Sequence, residues 1–212
     1  MFLIFCEKNI QTGNKTLKIP LLRNMFFCIF LCFFSFSCTP DFIPKPKGYN
    51  RLDLPPHNYK LISEDHPYSF EHSIYSKILK DTSSFSEPHW IDIWYPNFRC
   101  NIQITYKELG SENKKFDELV DDSHKLTSKH QVKAYSIDEG VIKTKGGYVA
   151  TVFELSGEVP SQFQFYVTDS SKHFIRGALY FRTSTRNDSL APVIEYMKED
   201  IMHLLNTLKF EN

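Results

Sequence analysis

Net charge is the first thing this chain lacks: 25 Lys and Arg side chains face 25 Asp and Glu across 212 residues, with an isoelectric point near 7.1. A nucleic-acid-binding domain normally carries a basic surplus, so that class has no support. Catalytic signatures are missing too. No GxSxG precedes a helix, and neither GxGxxG nor GxxxxGK[ST] occurs, which removes the α/β-hydrolase elbow and the phosphate-cradling loops. No HExxH or CxxC offers the tight ligand pair of a zinc site. The apolar runs stop short of the roughly 20 residues that a membrane-spanning helix needs. Five cysteines, with three of them in or before one short apolar run, make no disulfide framework.

What the chain has in quantity is aromatic side chains, with 19 Phe and 11 Tyr, enough for a core and against wholesale disorder. They are unevenly spread. The first 37 residues hold 8 of the 19 Phe, together with Lys8, Lys15, Lys18 and Arg23 against Glu7 alone. The 175 residues that follow carry 21 basic and 24 acidic side chains and are mildly acidic. Met25 to Phe36 is an almost unbroken apolar run behind a basic stretch, the layout of a signal peptide. It ends at Ser37-Cys38, a small residue directly before cysteine, in the manner of a bacterial lipobox. Cys28 follows Phe27 and Cys32 follows Leu31, so neither offers the peptidase that small residue. Cleavage there leaves only Cys38 and Cys100: Cys38 is the expected lipid attachment site, and Cys100 reads as a small buried apolar residue. At about 0.8 kcal/mol per buried methylene, acyl chains on Cys38 would hold the protein on a membrane without a spanning helix.

Residues 38–66 read as an extended tether. Six of the 11 prolines lie between Pro40 and Pro67, which excludes helix and favours polyproline-II backbone. A mere spacer would be rich in Ser, Gly and charge. Here Lys45, Lys47, Tyr49, Arg51 and Asp53 interleave with Leu52 and Leu54, so the segment is expected to dock, either on its own domain or on a partner. Those five residues are the candidate partner-docking set.

Pro44-Lys45-Pro46-Lys47-Gly48-Tyr49 followed by Arg51-Leu52-Asp53-Leu54-Pro55 resembles the signature that follows the lipobox in the GldD family of gliding-motility lipoproteins of the Bacteroidetes. The resemblance continues through Pro67-Tyr68-Ser69-Phe70-Glu71, Trp90-Ile91-Asp92-Ile93-Trp94-Tyr95-Pro96 and Asn101-Ile102-Gln103-Ile104-Thr105-Tyr106-Lys107. Asn50 departs from the pattern, an aromatic residue being commoner there. Membership implies an envelope lipoprotein, carrying palmitate or a similar acyl group, required for gliding and for the associated type IX secretion machinery. Its partners would be the membrane and other envelope proteins of that system. By the same resemblance, Thr39-Pro40-Asp41 lacks the acidic cluster of surface-exported lipoproteins, which favours a periplasm-facing position.

Residues 67–212 read as one α+β domain. Alternation predicts strands over 68–73, 90–95 and 101–106, with Ile91, Ile93 and Tyr95, then Ile102, Ile104 and Tyr106, on one face. Pro96-Asn97 supplies the turn between the last two. Phe116, Leu119, Val120 and Leu126 fall at helical spacing, with Ser111 as cap. Strands are expected again over 141–145, 148–155, 162–168 and 174–182, with turns at Gly146-Gly147 and Asp169-Ser170-Ser171. Ile194, Met197, Ile201, Leu204, Leu205 and Leu208 form the stripe of a terminal helix, with Ser189 as cap and Pro192 in its first turn. Short turns require antiparallel pairing, so the expectation is an antiparallel sheet of about six strands with helices against it. The element order is similar to the α/β/α sandwich of PsbP- and Mog1-like proteins, a likeness of fold and not of function.

Chemistry is thin. The eight histidines are scattered, Asp121-Asp122 and Glu199-Asp200 sit on helices where paired carboxylates usually mark a solvated face, and Trp90 and Trp94 read as packing under a helix more readily than as a ligand platform. The reading is a non-catalytic binding or structural subunit with no cofactor or metal. The alternative is a periplasmic lipoprotein with a ligand- or substrate-binding pocket, enzymatic activity being open in that case.

Overall fold

The computed structural model describes residues 53–110, 113–182 and 187–211. At their centre is a seven-stranded antiparallel sheet ordered β4-β5-β6-β10-β9-β8-β7. Its strands are β4 (Lys77–Lys80), β5 (Ile91–Tyr95), β6 (Cys100–Glu108), β7 (Ala134–Lys143), β8 (Val149–Gly157), β9 (Phe163–Thr168) and β10 (His173–Phe181). Two antiparallel runs, β4 to β6 and β7 to β10, are thus closed onto each other by the β6–β10 ladder at the middle of the sheet.

Helix α1 (Asn113–Ser128) crosses from β6 to the far edge, and helix α2 (Asn187–Thr207) covers the opposite face. Period-two alternation decides this layering. Ile91, Ile93, Tyr95, Ile102, Ile104, Phe165, Val167, Ile175 and Leu179 point to the α2 side and are almost completely buried with Met197, Ile201, Leu204 and Leu205. The other face supplies Phe153, Leu155, Tyr166 and Phe174, which pack under Phe116, Leu119 and Val120 of α1. The result is an α/β/α sandwich with a large core beneath α2 and a small one beneath α1.

Several local features differ from the sequence-based expectation. The stretch 68–73 is two short strands, β2 (Tyr68–Ser69) and β3 (Glu71–Ser73), in two separate two-stranded sheets. Fully buried Phe70 lies between them. The sheet gains β4, whose four residues have no buried face to betray them. Strand β7 begins at Ala134, well before Val141, because an edge strand with mostly exposed side chains gives no alternation to read. In α1, Leu126 is exposed while Ser123 and Thr127 are buried, so the packed stripe runs through small hydroxyl residues. Ser111 lies outside the described residues. Helix α2 already includes Asn187, which places Ser189 inside the helix instead of at its cap and Pro192 beyond its first residues.

The first described residues are packed on this body. Strand β1 (Tyr59–Leu61) pairs antiparallel with β3, and Ile62 joins the large core. At the other end, β11 (Lys209–Phe210) pairs with β2. The cysteine expectation also holds in the fold: Cys100 is a free, fully buried thiol, pushed up to about 12 by burial.

Candidate functional site

The expected lipid attachment site, Cys38, and the docking residues Lys45, Lys47, Tyr49 and Arg51 lie outside the described residues, and the fifth docking residue, Asp53, is exposed at the start of them. The structure assembles its own constellations further on, from residues that no motif linked.

The tightest is built around Asp200 on α2. Its carboxylate is almost wholly buried. Tyr59 OH donates to Oδ1 at 3.0 Å, Tyr95 OH donates to Oδ2 at 2.9 Å, and His57 Nδ1 lies 2.7 Å from Oδ1. The other ring nitrogen of His57 faces Glu199 at 2.9 Å, and the ring stacks on Tyr196 with centroids 4.2 Å apart. Tyr59 stacks on His203 at 3.5 Å, and His203 Nε2 meets Glu71 at 2.7 Å. Burial, followed by the Asp200 charge, raises the Tyr59 and Tyr95 hydroxyls far above the usual phenol, so both stay protonated donors. Tyr59 OH also lies 3.2 Å from His57 Nδ1, so two phenols and an imidazole converge on one buried carboxylate, an arrangement that works as a clamp. It ties the segment carrying His57 and Tyr59 to the terminal helix.

The second constellation is an open cavity of about 710 Å³ bordered by His66, His89, His173, Tyr106, Lys107 and Glu87 among others. His66 Nδ1 and His89 Nδ1 are 3.2 Å apart, so one must donate and the other accept. Burial, with the neighbouring His89, holds His66 below the ordinary histidine value. Tyr106 OH lies 2.8 Å from His173 Nδ1, and Tyr68 OH donates to the His89 carbonyl at 2.5 Å. That last bond pins His89 at φ 68°, a left-handed conformation that costs a side-chain-bearing residue energy. Lys107 pairs with Glu87 at the rim. Among the described residues no group of three His, Cys, Asp or Glu side chains is placed to hold a metal ion.

The tryptophans separate. Trp90 packs against the large core, donates Nε1–H to the Tyr106 carbonyl at 2.9 Å and lies under the Lys107 ammonium. Trp94 joins neither apolar cluster; it is half-buried on the other sheet face beneath the Arg182 guanidinium, 4.7 Å from its ring centre. On the same face lie Asp92, which accepts from Asn101 at 2.8 Å, and, farther across the sheet, Arg176, which donates to Gln164 at 2.8 Å. The carboxylate pair Glu199-Asp200 is likewise split, one exposed and one buried.

Sequence comparison decides the family. The family of gliding motility lipoprotein GldD matches residues 39–210. The chain belongs to the GldD family. That membership makes it a gliding-motility lipoprotein of the cell envelope, and among the described residues no helix is long and apolar enough to cross a membrane. Comparison with curated proteins finds no relative. Among solved structures, this GldD-family chain is similar to the cyanobacterial PsbP (CyanoP) from Synechocystis sp. PCC 6803. The identity is 8%, the TM-score 0.43, and the match covers 76% of this chain and 97% of that one. The antiparallel α+β sandwich stands on its own strand register, independent of that likeness.

The residues of the Asp200 clamp and the histidine cavity were not legible as sites. Their members are far apart in sequence, and a buried acidic side chain on a helix looks the same in sequence as a solvated one. The only available hint was Asp200 falling one residue before Ile201 and four after Tyr196, on the edge of the apolar stripe.

Proposed function

We propose that this GldD-family protein is a non-catalytic binding subunit of the gliding apparatus and of the associated type IX secretion machinery, held on a membrane by acyl chains on Cys38 and facing the periplasm. One observation carries it: the family match starts at Thr39, directly after the cysteine of the Ser37-Cys38 junction, and runs through the domain to Phe210. A structural role for the Asp200 constellation supports this reading, because the buried carboxylate accepts from Tyr59 and Tyr95 and fastens the segment around His57 to α2. Lys45, Lys47, Tyr49, Arg51 and Asp53, between the lipid and the clamp, are the proposed partner contacts.

The deciding experiment deletes the gene and complements with wild type or Cys38→Ala, scoring colony spreading and the proteins released into the medium. Lost spreading and secretion, restored only by wild type, is the expected result. Normal spreading and secretion in the deletion strain would overturn the reading. A second reading, a lipoprotein with a ligand pocket, draws on the cavity beside His66 and His89 and the strained backbone of His89. It predicts a ligand that raises the melting temperature of wild type and not of His66→Gln.

A further inference from the structure

The two edges of the central sheet are built differently. β4 is four residues long and carries Lys77 and Lys80 at its ends, which discourages further pairing. β7 runs for ten residues, contains no proline, and is irregular only at Ala134–Ser136. Tyr135 is 82% and Val141 68% exposed.

The direction of its free backbone groups follows from the hydrogen bonds. Thr144 N–H donates to the Tyr148 carbonyl, and Leu155 N–H donates across to the Gln162 carbonyl of the chain entering β9. Carried along the β7–β8 register, this alternation turns the backbone groups of Asp138, Gly140 and Ile142 toward Glu154, Val152 and Ala150. Ile137, Glu139, Val141 and Lys143 therefore present their N–H and C=O groups outward. The side chains of the same four residues fall on the α1 side of the sheet. There a cavity of about 380 Å³ opens between helix and strand, with Ile137 and Phe153 as its apolar wall and His124, Lys125, Thr127 and Glu139 around them; His124 Nδ1 lies 3.8 Å from Glu139.

We propose that β7 is a docking edge to which an extended segment of a partner protein adds as a strand, seating an apolar side chain in this cavity and, on the opposite face, a Lys or Arg beside Asp138. This rests on the binding-subunit reading above. Strand addition supplies affinity through the main chain and selectivity through a side-chain pocket, and β7 offers both. Charge argues against a second copy as the occupant. In a two-fold antiparallel pair, only outward-facing residues can oppose outward-facing ones. The two registers that then use nearly the whole strand set Asp138 against its own copy or Glu139 against its own copy. Like charges directly opposite are destabilising, and both residues are exposed here. A basic residue in a foreign strand removes that cost.

The test uses the full-length lipoprotein in detergent micelles and phage-displayed random decapeptides as the probe. Enriched sequences should alternate apolar residues and carry a Lys or Arg. Synthesised and titrated by fluorescence anisotropy, they should bind Val141→Pro at least tenfold more weakly, because that change removes an outward N–H without touching the β8 ladder. They should bind Lys80→Pro, on the opposite edge, as wild type. Amide exchange at Glu139 and Val141 should slow on binding. If Val141→Pro does not fold, the double variant Asp138→Lys, Glu139→Lys should lose binding at least tenfold. No enriched sequence, or equal binding to the variants, overturns the proposal. So does a concentration-dependent dimer that slows the same amides, which would assign the edge to a second copy. Envelope proteins that still copurify with Val141→Pro would sink the β7 edge alone and leave the binding-subunit reading standing.

Discussion

Asp200 has the most to lose from a single substitution. Its carboxylate accepts from Tyr59 and Tyr95 and faces His57, and Tyr95 is itself buried. Asp200→Ala should cost about 3 kcal/mol, since it leaves buried hydroxyls without an acceptor. Chemical denaturation checks this, with Tyr95→Phe in the same background costing little more because the bond is already gone. Asp169 does a smaller job of the same kind. Its Oδ1 accepts the backbone N–H groups of Ser171, Lys172 and His173 at 3.0, 2.9 and 2.9 Å, closing the β9–β10 turn. Burial pushes this carboxyl up, yet those backbone bonds hold it below the usual value. Asp169→Ala should cost about 1 kcal/mol, solvent screening included, as read from the denaturation midpoint. Gly177 leaves room for a ring: a Cβ there would lie 2.1 Å from Phe165 Cζ. Gly177→Ala should destabilise by about 1–3 kcal/mol through overpacking.

Among the elements, α1 and β1 give the sharpest expectations. α1 touches the sheet through Phe116, Leu119 and Val120 and buries Ser123 and Thr127. Thr127 Oγ1 donates to the Ser123 carbonyl at 2.9 Å and lies 3.1 Å from Gln164 Oε1, where polar residues of the sheet meet the helix. Thr127→Val should therefore destabilise by about 1 kcal/mol, whereas Leu126→Ala, at an exposed position, should stay within about 0.5 kcal/mol in the same thermal melts. β1 is held by three residue pairs with β3 and by the His57–Tyr59 grip on Asp200. The double variant His57→Gln, Tyr59→Phe should open residues 53–62 to limited proteolysis while the sheet stays resistant. Cleavage confined to other loops would show that the β1–β3 ladder alone suffices.

At the scale of the whole molecule, pH should act through histidines kept neutral by the fold. His72, bonded to Ser76 at 2.8 Å, is held below the ordinary value by burial and then by the Lys60 charge, and His66 by burial and then by His89. A histidine depressed in the folded state takes up a proton more readily when unfolded. Its contribution is complete above about pH 6.5 and is lost as pH falls through the folded value. Melting temperature should drop on acidification below neutrality, and less steeply in His72→Gln; equal slopes would exclude His72 as a source.

The α/β/α layering was legible in the sequence because Ile91–Tyr95, Ile102–Tyr106 and the stripe from Ile194 to Leu208 each repeat at the period of their element, and burial enforces that period. β4, the first seven residues of β7 and the Ser123–Thr127 end of the α1 face were not, because edge strands and a helix end packed through hydroxyl residues bury too little apolar surface to leave a pattern. The family and the cysteine read as its lipid anchor were likewise written in local motifs. The Asp200 clamp joins residues 143 positions apart, and the histidine cavity gathers His66, His89 and His173 from separate elements. Period and motif are local and survive in one dimension. Which buried carboxylate meets which phenol is settled only when the β6–β10 ladder closes the sheet and α2 is pressed against it, so that decision belonged to the tertiary structure alone.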